Sequence, residues 1–382
     1  MTVVFVSAGI YHHISEITDA LYERYGSDFH FYAIADEVPE SIRIMGHCDD
    51  LTQRDYYKNI HESSLYMKEA VYWCENADVG IIGCGHCEKY LDMRMKKNRL
   101  TFKIKERPFK KRISDNPQYY EEIISRYYKP YIDSKLYYLC VGHYCASDLL
   151  SISIRREHLI KWGYFVYHDD DFVHGKSWHE PIRLLWVGRF IEEKRPQVAL
   201  DILQYLVENG VCATLTYIGY GEMASKLQQT AELYNLSKQV SFMGSMPEWI
   251  VRNEMKNHDY FLFTSSFWEG WGVVLSEAME EGMICFASAE AGSSCELIQH
   301  NKNGFIFHDT NEAKQLCFAI AQGGFEKWGA ISNQAHEDMQ KHWDAKLATN
   351  RLMRVMETLH HDKKLELFSD GVCSEAEIWE DA

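Results

Sequence analysis

Basic residues are in short supply. Lys and Arg number 40 against 56 Asp and Glu in 382 residues, a formal net charge of −16. A chain this acidic lacks the cationic face that general nucleic-acid binding needs, so no nucleic-acid partner is expected. A disulfide framework is also missing. The 11 cysteines are odd in number and irregularly spaced, and Cys140, Cys212 and Cys285 lie in apolar runs, which fits reduced, buried thiols of the cytosol. No apolar run is long enough to span a membrane. The opening Met1-Thr2-Val3-Val4-Phe5-Val6-Ser7 has no basic n-region or small-residue cleavage site, so no signal peptide is expected and the location expected is cytoplasmic. No G-x-G-x-x-G follows the first strand, which weakens a dehydrogenase reading. Metal ligands are not grouped either. Cys84, His86 and Cys87 have no second cluster at suitable spacing, and Asp169-Asp170-Asp171 opens a polar, irregular stretch that reads as a solvated linker. No metal and no cofactor are expected.

What is present is an alternation of short apolar runs and helical patterns over a length that suggests about two domains at roughly 150 residues each. Strands are expected at 3–6, 29–35, 78–83 and 136–141, with a loop over 7–13 and helices at 16–25, 66–76 and 119–128. A second series follows at 182–188, 215–218, 239–243, 260–263, 284–287 and 305–307, several of these runs closing in glycine. Such an alternation makes a doubly wound parallel sheet. Pro196 is placed at a helix start, where its missing N–H does no harm. The domains are expected at 1–172 and 182–343 with a linker at 173–181, an amphipathic helix at 344–362, and an acidic, disordered tail at 363–382.

Residues 264–277, Thr-Ser-Ser-Phe-Trp-Glu-Gly-Trp-Gly-Val-Val-Leu-Ser-Glu, lie on a strand-to-helix turn. Open parallel sheets bind ligands at such turns, and free N–H groups at a helix start attract phosphate. Glu269 and Glu277 bracket the glycines, so amides can approach a ligand with one acid at each end. Gly188 closes an earlier strand and leads into a loop holding Arg189 and Lys194, two cations suited to a diphosphate. Residues 94–112 carry ten basic residues and one acid, Glu106, with Phe102 and Phe109 among them. That stretch reads as a solvated face or as a patch for anionic lipid head groups at the inner face of a membrane.

Gly188-Arg189, Lys194, Gly219-x-Gly221, Gly244-Ser245 and the Glu269-x7-Glu277 pair, in this order, resemble the donor domain of retaining GT-B glycosyltransferases of family 4, over roughly residues 182–310. In the first domain, His12-His13 and Glu106-Arg107 followed by Lys110-Lys111 resemble a polysaccharide-biosynthesis subgroup. The resemblance implies an α/β GT-B fold: two Rossmann-like doubly wound domains facing a cleft, with the C-terminal helix crossing back to the first. It implies a metal-independent, retaining transfer from a UDP- or GDP-linked sugar to a saccharide or lipid-linked saccharide acceptor in surface polysaccharide biosynthesis. Arg189 and Lys194 would hold the diphosphate. Glu269 would bind sugar hydroxyls with the amides of Gly270, Trp271 and Gly272. Glu277 would accept from the ribose, Gly188, Gly219 and Gly221 would line the donor, and Gly244 and Ser245 would lie near the base. Gly9, His12 and His13 would meet sugar or acceptor, although Gly9 stands alone where many relatives have a glycine pair. The alternative is a nucleotide-sugar epimerase of the same architecture.

Overall fold

The computed structural model describes residues 1–36, 51–110, 116–166, 168, 172, 179–322 and 325–379. They form two compact units. One holds the N-terminal sheet together with the chain from His342 onward, and the other spans His168–Lys341. Of the expected linker and the aspartate run, residues 169–171 and 173–178 lie outside the described residues.

The first unit contains β1 (Val3–Ser7), β2 (Phe29–Ala33), β3 (Val79–Ile82), β4 (Leu100–Glu106), β5 (Leu136–Val141) and β6 (Leu159–Trp162). All pair in parallel, in the order β2-β1-β3-β4-β5-β6, with Val3 opposite both Phe29 and Val79. The second unit contains β7 (Ile182–Val187), β8 (Ala213–Ile218), β9 (Val240–Phe242), β10 (Tyr260–Phe263), β11 (Ile284–Ser288) and β12 (Phe305–Phe307), in the order β12-β11-β10-β7-β8-β9. β1, β3, β10 and β11 are buried along their whole length, which is why they read as unbroken apolar runs rather than alternating ones. In the second sheet the chain runs outward from β7 to β9, then returns to β7's other side as β10. The strand order therefore reverses between β7 and β10, and the loops leaving them part to form a crevice.

The helix Pro196–Glu208 shows how sequence becomes packing here. Proline fills its first turn, and Ala199, Leu200, Ile202, Leu203 and Leu206 recur at helical spacing and are buried in the core with Leu184, Leu215 and Leu262. No helix among the described residues is long and apolar enough to cross a membrane.

Four expectations are corrected. The helix over 16–25 begins earlier, at His12, so His12 and His13 form its first turn and not the end of a loop. The strand β6 has no counterpart among the expected strands, since Leu-Ile-Lys-Trp shows no clear period. The basic stretch is not one face. Residues 100–106 are the central strand β4, Phe102 and Phe109 are buried, and Lys103 points inward to donate to the Gly83 carbonyl at 2.6 Å. Arg94 is fully buried and donates to Thr101 Oγ1 and to the carbonyls of Cys74, Ala77 and Leu100. Burial pulls its pKa down to about 10. Lys111 and Arg112 lie outside the described residues. Finally, the acidic tail is ordered over 363–379. It lies along β6, where the Lys161 N–H donates to the Ser374 carbonyl and the Cys373 N–H to the Lys161 carbonyl, at 3.0 and 2.9 Å. Val372, Cys373 and Ala376 are buried, and Glu375 and Glu377 pair with Arg156 and Lys161. An outer strand presents unpaired backbone groups, and this segment satisfies them while its acids find cations. The helix Ala345–His360 packs on the helix His12–Tyr25, with Glu357 paired to Arg24 at 3.4 Å.

Candidate active site

In the second unit the crevice between β7 and β10 collects most of the expected site. The loop after β7 runs through Gly188 and Arg189 into a single helical turn, Glu192–Lys194. The turn after β10 runs through Glu269 to Gly272, which caps the helix Val273–Glu280. Lys194 Nζ donates to Glu269 Oε2, and Ser265 Oγ donates to the same oxygen at 3.1 Å. Arg189 is exposed on the same loop as Lys194 and makes no ion pair among the described residues. Gly272 stands at φ +85°, and a β-carbon there would lie 2.3 Å from the Phe263 ring. Glycine at this position lets the chain enter the helix tightly and leaves the first N–H groups of the helix without intrahelical acceptors, a local positive end.

The neighbouring loops are stitched to this pair through backbone. Gly188 N–H donates to the Ile218 carbonyl, Phe190 N–H to the Tyr220 carbonyl, and Gly219 N–H to the Gly244 carbonyl, at 3.0, 2.7 and 2.8 Å. Gly219 has φ +139°, and a β-carbon would come within 1.8 Å of the Gly188 carbonyl oxygen. The two loops therefore touch main chain to main chain. Gly188, Gly219, Gly221, Gly244 and Ser245 accordingly lie in three adjacent loops at the carboxyl ends of β7, β8 and β9. Glu277 is buried on the helix Val273–Glu280, and its carboxylate lies within 4.8 Å of that of Glu248, the first residue of the helix Glu248–Asn257. The Trp271 side chain is core: it is 1% exposed and its Nε1 donates to Ser276 Oγ at 3.2 Å, so only its backbone faces the turn, whereas Trp268 is exposed.

Several residues that hold this arrangement carried no signal in the sequence. Thr264 Oγ1 accepts from Trp186 Nε1 at 2.9 Å and sits 2.7 and 3.0 Å from the carbonyls of Lys194 and Arg195. Arg195 forks onto Glu290, which also accepts the Phe267 N–H. Ser265 and Thr264 could have been found only from their place just before the acid of the turn. Arg195 and Glu290 are 95 residues apart, and nothing local couples them.

In the first unit the strand order reverses between β1 and β3. Gly9 lies in the loop after β1. A β-carbon on it would come within 3.2 Å of the Tyr11 ring, an approach the ring can yield to. His13 stacks on Tyr11 and packs against Tyr164, whose ring centroid is 4.4 Å away, and His12 meets His13 edge-on. By surface area His13 is only partly covered, yet its ring is hemmed in by these aromatics. That enclosure, with the His12 charge second, holds its pKa well below the ordinary value. Tyr164 donates to Glu106 Oε1 at 2.9 Å, and burial followed by the charges of Cys84 and Glu106 raises its pKa.

Comparison with known proteins bears on the same unit. Residues 169–322 match the family model described as glycosyl transferases group 1. The amylovoran biosynthesis glycosyltransferase AmsK of Erwinia amylovora is 27% identical over 188 residues, covering 47% of this chain and 46% of the relative. The alignment thus spans about half the length of that relative. Among solved structures, Anabaena HepE in complex with UDP and glucose superposes with a TM-score of 0.66 at 14% identity, covering 94% of this chain and 100% of the other. A variant of Staphylococcus aureus TarM in complex with fondaparinux, α-GlcNAc-glycerol and UDP gives 0.70 at 12% identity, covering 93% and 100%. At those identities the structures speak for the fold, and it is the α/β fold of two six-stranded parallel sheets expected of GT-B enzymes. The sequence match falls on the unit that joins Lys194 to Glu269, and residues 169–322 are a group 1 glycosyl transferase domain.

Proposed function

We propose that the chain transfers a sugar from a nucleotide-sugar donor to a saccharide acceptor in polysaccharide assembly. The observation that carries this reading is the pairing of Lys194 with Glu269 in the crevice between β7 and β10, beside the amide-rich start of the helix Val273–Glu280. A cation and an acid side by side suit a ligand with a diphosphate at one end and sugar hydroxyls at the other. On donor binding Lys194 turns to the diphosphate with Arg189, and Glu269 accepts from the sugar hydroxyls. Glu277 accepts from the ribose diol, and the loops holding Gly188, Gly219, Gly221, Gly244 and Ser245 pass close under the nucleotide. Two cations and a helix start neutralise the leaving diphosphate without a divalent ion.

In this mechanism the bond from the anomeric carbon to the diphosphate oxygen breaks as the acceptor hydroxyl bonds to the same face of that carbon. The departing phosphate takes the hydroxyl proton. Configuration is retained, no protein nucleophile is required, and Glu269 positions the sugar. The UDP carried by HepE and TarM supports UDP ahead of GDP as the nucleotide. The amylovoran biosynthesis named for AmsK supports a polysaccharide as the product. His12 and His13 belong to the acceptor side of this proposal. A membrane enters only through a lipid-linked acceptor, because residues 94–110 offer no continuous cationic face. No observation favours the epimerase alternative.

A panel of UDP- and GDP-sugars, scored by thermal stabilisation and then by transfer, tests the reading. At least one should raise the melting temperature and be turned over, with EDTA making no difference. Transfer should vanish in Lys194→Ala and in Glu269→Ala while the fold persists. Full activity in both variants would refute the site, and strict dependence on Mn²⁺ would refute the metal-free mechanism.

A further inference from the structure

We infer that Arg195 and Glu290 work as one positioning device that sets Lys194 against Glu269, an inference that rests on the proposed transfer. Arg195 directly follows Lys194 and precedes the helix Pro196–Glu208. Its backbone is left-handed, at φ +48° and ψ +49°. A residue with a β-carbon takes that conformation only when its surroundings enforce it. Here the enforcement is visible. Arg195 Nη1 and Nη2 donate to the two oxygens of Glu290 at 3.1 and 2.7 Å, a forked pair of fixed geometry. Glu290 Oε2 also accepts the Phe267 N–H at 3.1 Å, two residues before Glu269.

One carboxylate on the loop after β11 thus grips both the residue next to Lys194 and the turn that carries Glu269. Two shorter ties run alongside. Ser266 N–H donates to the Glu193 carbonyl at 2.8 Å, and the Thr264 hydroxyl sits against the carbonyls of Lys194 and Arg195. Those ties fix the backbones, and the fork fixes the distance between the two loops. The arrangement also divides the cations. Glu290 occupies Arg195, which leaves Lys194 and Arg189 for a diphosphate.

The test uses the full chain with Arg195→Gly, Arg195→Lys, Glu290→Gln and the double variant Arg195→Lys/Glu290→Gln. Glycine accepts the left-handed backbone without cost, so Arg195→Gly removes the fork while keeping the fold. Each single variant should lower kcat by about tenfold or more, because misplacement of a catalytic group by a fraction of an ångström has that effect. Affinity for UDP should stay within about threefold, and the double variant should be no slower than the slower single, as expected of two residues acting as one unit. A second readout is independent of turnover. The rate at which a small amine-acylating reagent modifies Lys194, followed by mass spectrometry, should rise about threefold or more when the fork is cut, because the Lys194–Glu269 contact loosens. Wild-type kcat in Arg195→Gly and Glu290→Gln, multiplicative losses in the double variant, or unchanged labelling of Lys194 would each overturn the inference. A wild-type chain that turns over no nucleotide sugar would sink the proposed transfer, and the labelling would still decide whether the fork holds Lys194.

Discussion

Lys194 and Glu269 neutralise each other in the free protein, and this makes opposite predictions for the two residues. Their side chains are 21% and 14% exposed, so the pair is partly shielded from water. Under the proposed transfer, a nucleotide diphosphate would compete with Glu269 for Lys194. Removing Lys194 deletes one charge-assisted bond to phosphate, about 1.5–3 kcal/mol, or roughly a 10- to 150-fold weaker Kd for UDP. It would also leave Glu269 facing the diphosphate with the Ser265 hydroxyl as its one remaining side-chain donor among the described residues, which adds to the loss. Glu269→Gln acts the other way. It preserves shape and the contact with Ser265, and it frees Lys194. UDP should then bind as tightly as in the wild type or up to about threefold more tightly, since one competing ion pair is gone. Transfer should still fall by about 100-fold or more, because the neutral amide accepts sugar hydroxyls poorly. Lys194→Ala/Glu269→Gln should bind UDP better than Lys194→Ala alone. Titration calorimetry with UDP, beside transfer assays, separates these outcomes. Equal weakening of UDP by Glu269→Gln and Lys194→Ala would refute the competition. So would a Lys194→Ala variant that binds UDP normally.

Gly219→Ala puts a β-carbon 1.8 Å from the Gly188 carbonyl at φ +139°, so it should cost about 3 kcal/mol or more; urea denaturation checks this, and an unchanged midpoint would contradict the backbone contact. Truncation after Lys364 removes the buried Val372, Cys373 and Ala376 and bares the edge of β6. It should cost about 3 kcal/mol from the lost apolar burial and promote concentration-dependent aggregation, seen by light scattering and a lower urea midpoint. Burial lowers the pKa of His13, His30, His158 and His258 in the folded chain, helped by His12, Lys58 and Arg155 at the first three and opposed by Glu254 at His258. These groups hold a proton less firmly when folded than when unfolded, where they protonate near their ordinary value of 6.5. Their contribution to stability is therefore complete above that pH and is lost as pH falls through and below it. Urea midpoints should drop on going from about pH 7.5 to 5.5, and His258→Gln should flatten the slope; a midpoint that rises in acid would contradict the sign.

Strand identity in the second unit could be read locally. Runs such as Tyr260-Phe261-Leu262-Phe263 and Ile284-Cys285-Phe286 are apolar throughout because both faces are covered, and glycines mark where the chain leaves the sheet. The acid, the glycines and the cation of the candidate site drew notice for the same reason, since each lies in a loop that follows such a run, and the structure brings Lys194 and Glu269 together. Their supports were not. Trp186 meets Thr264 across 78 residues and Arg195 meets Glu290 across 95, and a sequence gives no sign of which distant side chain an arginine will find.

Residues 94–110 show the converse failure, in which a strong local signal pointed the wrong way. Charge count treats every lysine alike, whereas a central strand is covered on both faces. In β4, Lys103 turns inward beside the fully buried Phe102, and its ammonium finds the carbonyl of Gly83 at the end of β3. Arg94, a helix residue, goes further, bridging the end of the helix Ser64–Asn76, at Cys74 and Ala77, to the start of β4, at Leu100, with one guanidinium. A buried cation is tolerated only when its donors are satisfied, and carbonyls at the ends of helices and strands are where unsatisfied acceptors gather. Density of positive charge next to strand ends is therefore as compatible with internal stitching as with an anionic surface. The acids of 363–379 make the same point with the sign reversed. Glu375 and Glu377 read as a solvated tail, but Lys161 stands on β6 and Arg156 on the turn that leads into it, and a segment with partners of opposite charge and three apolar side chains to bury has reason to fold.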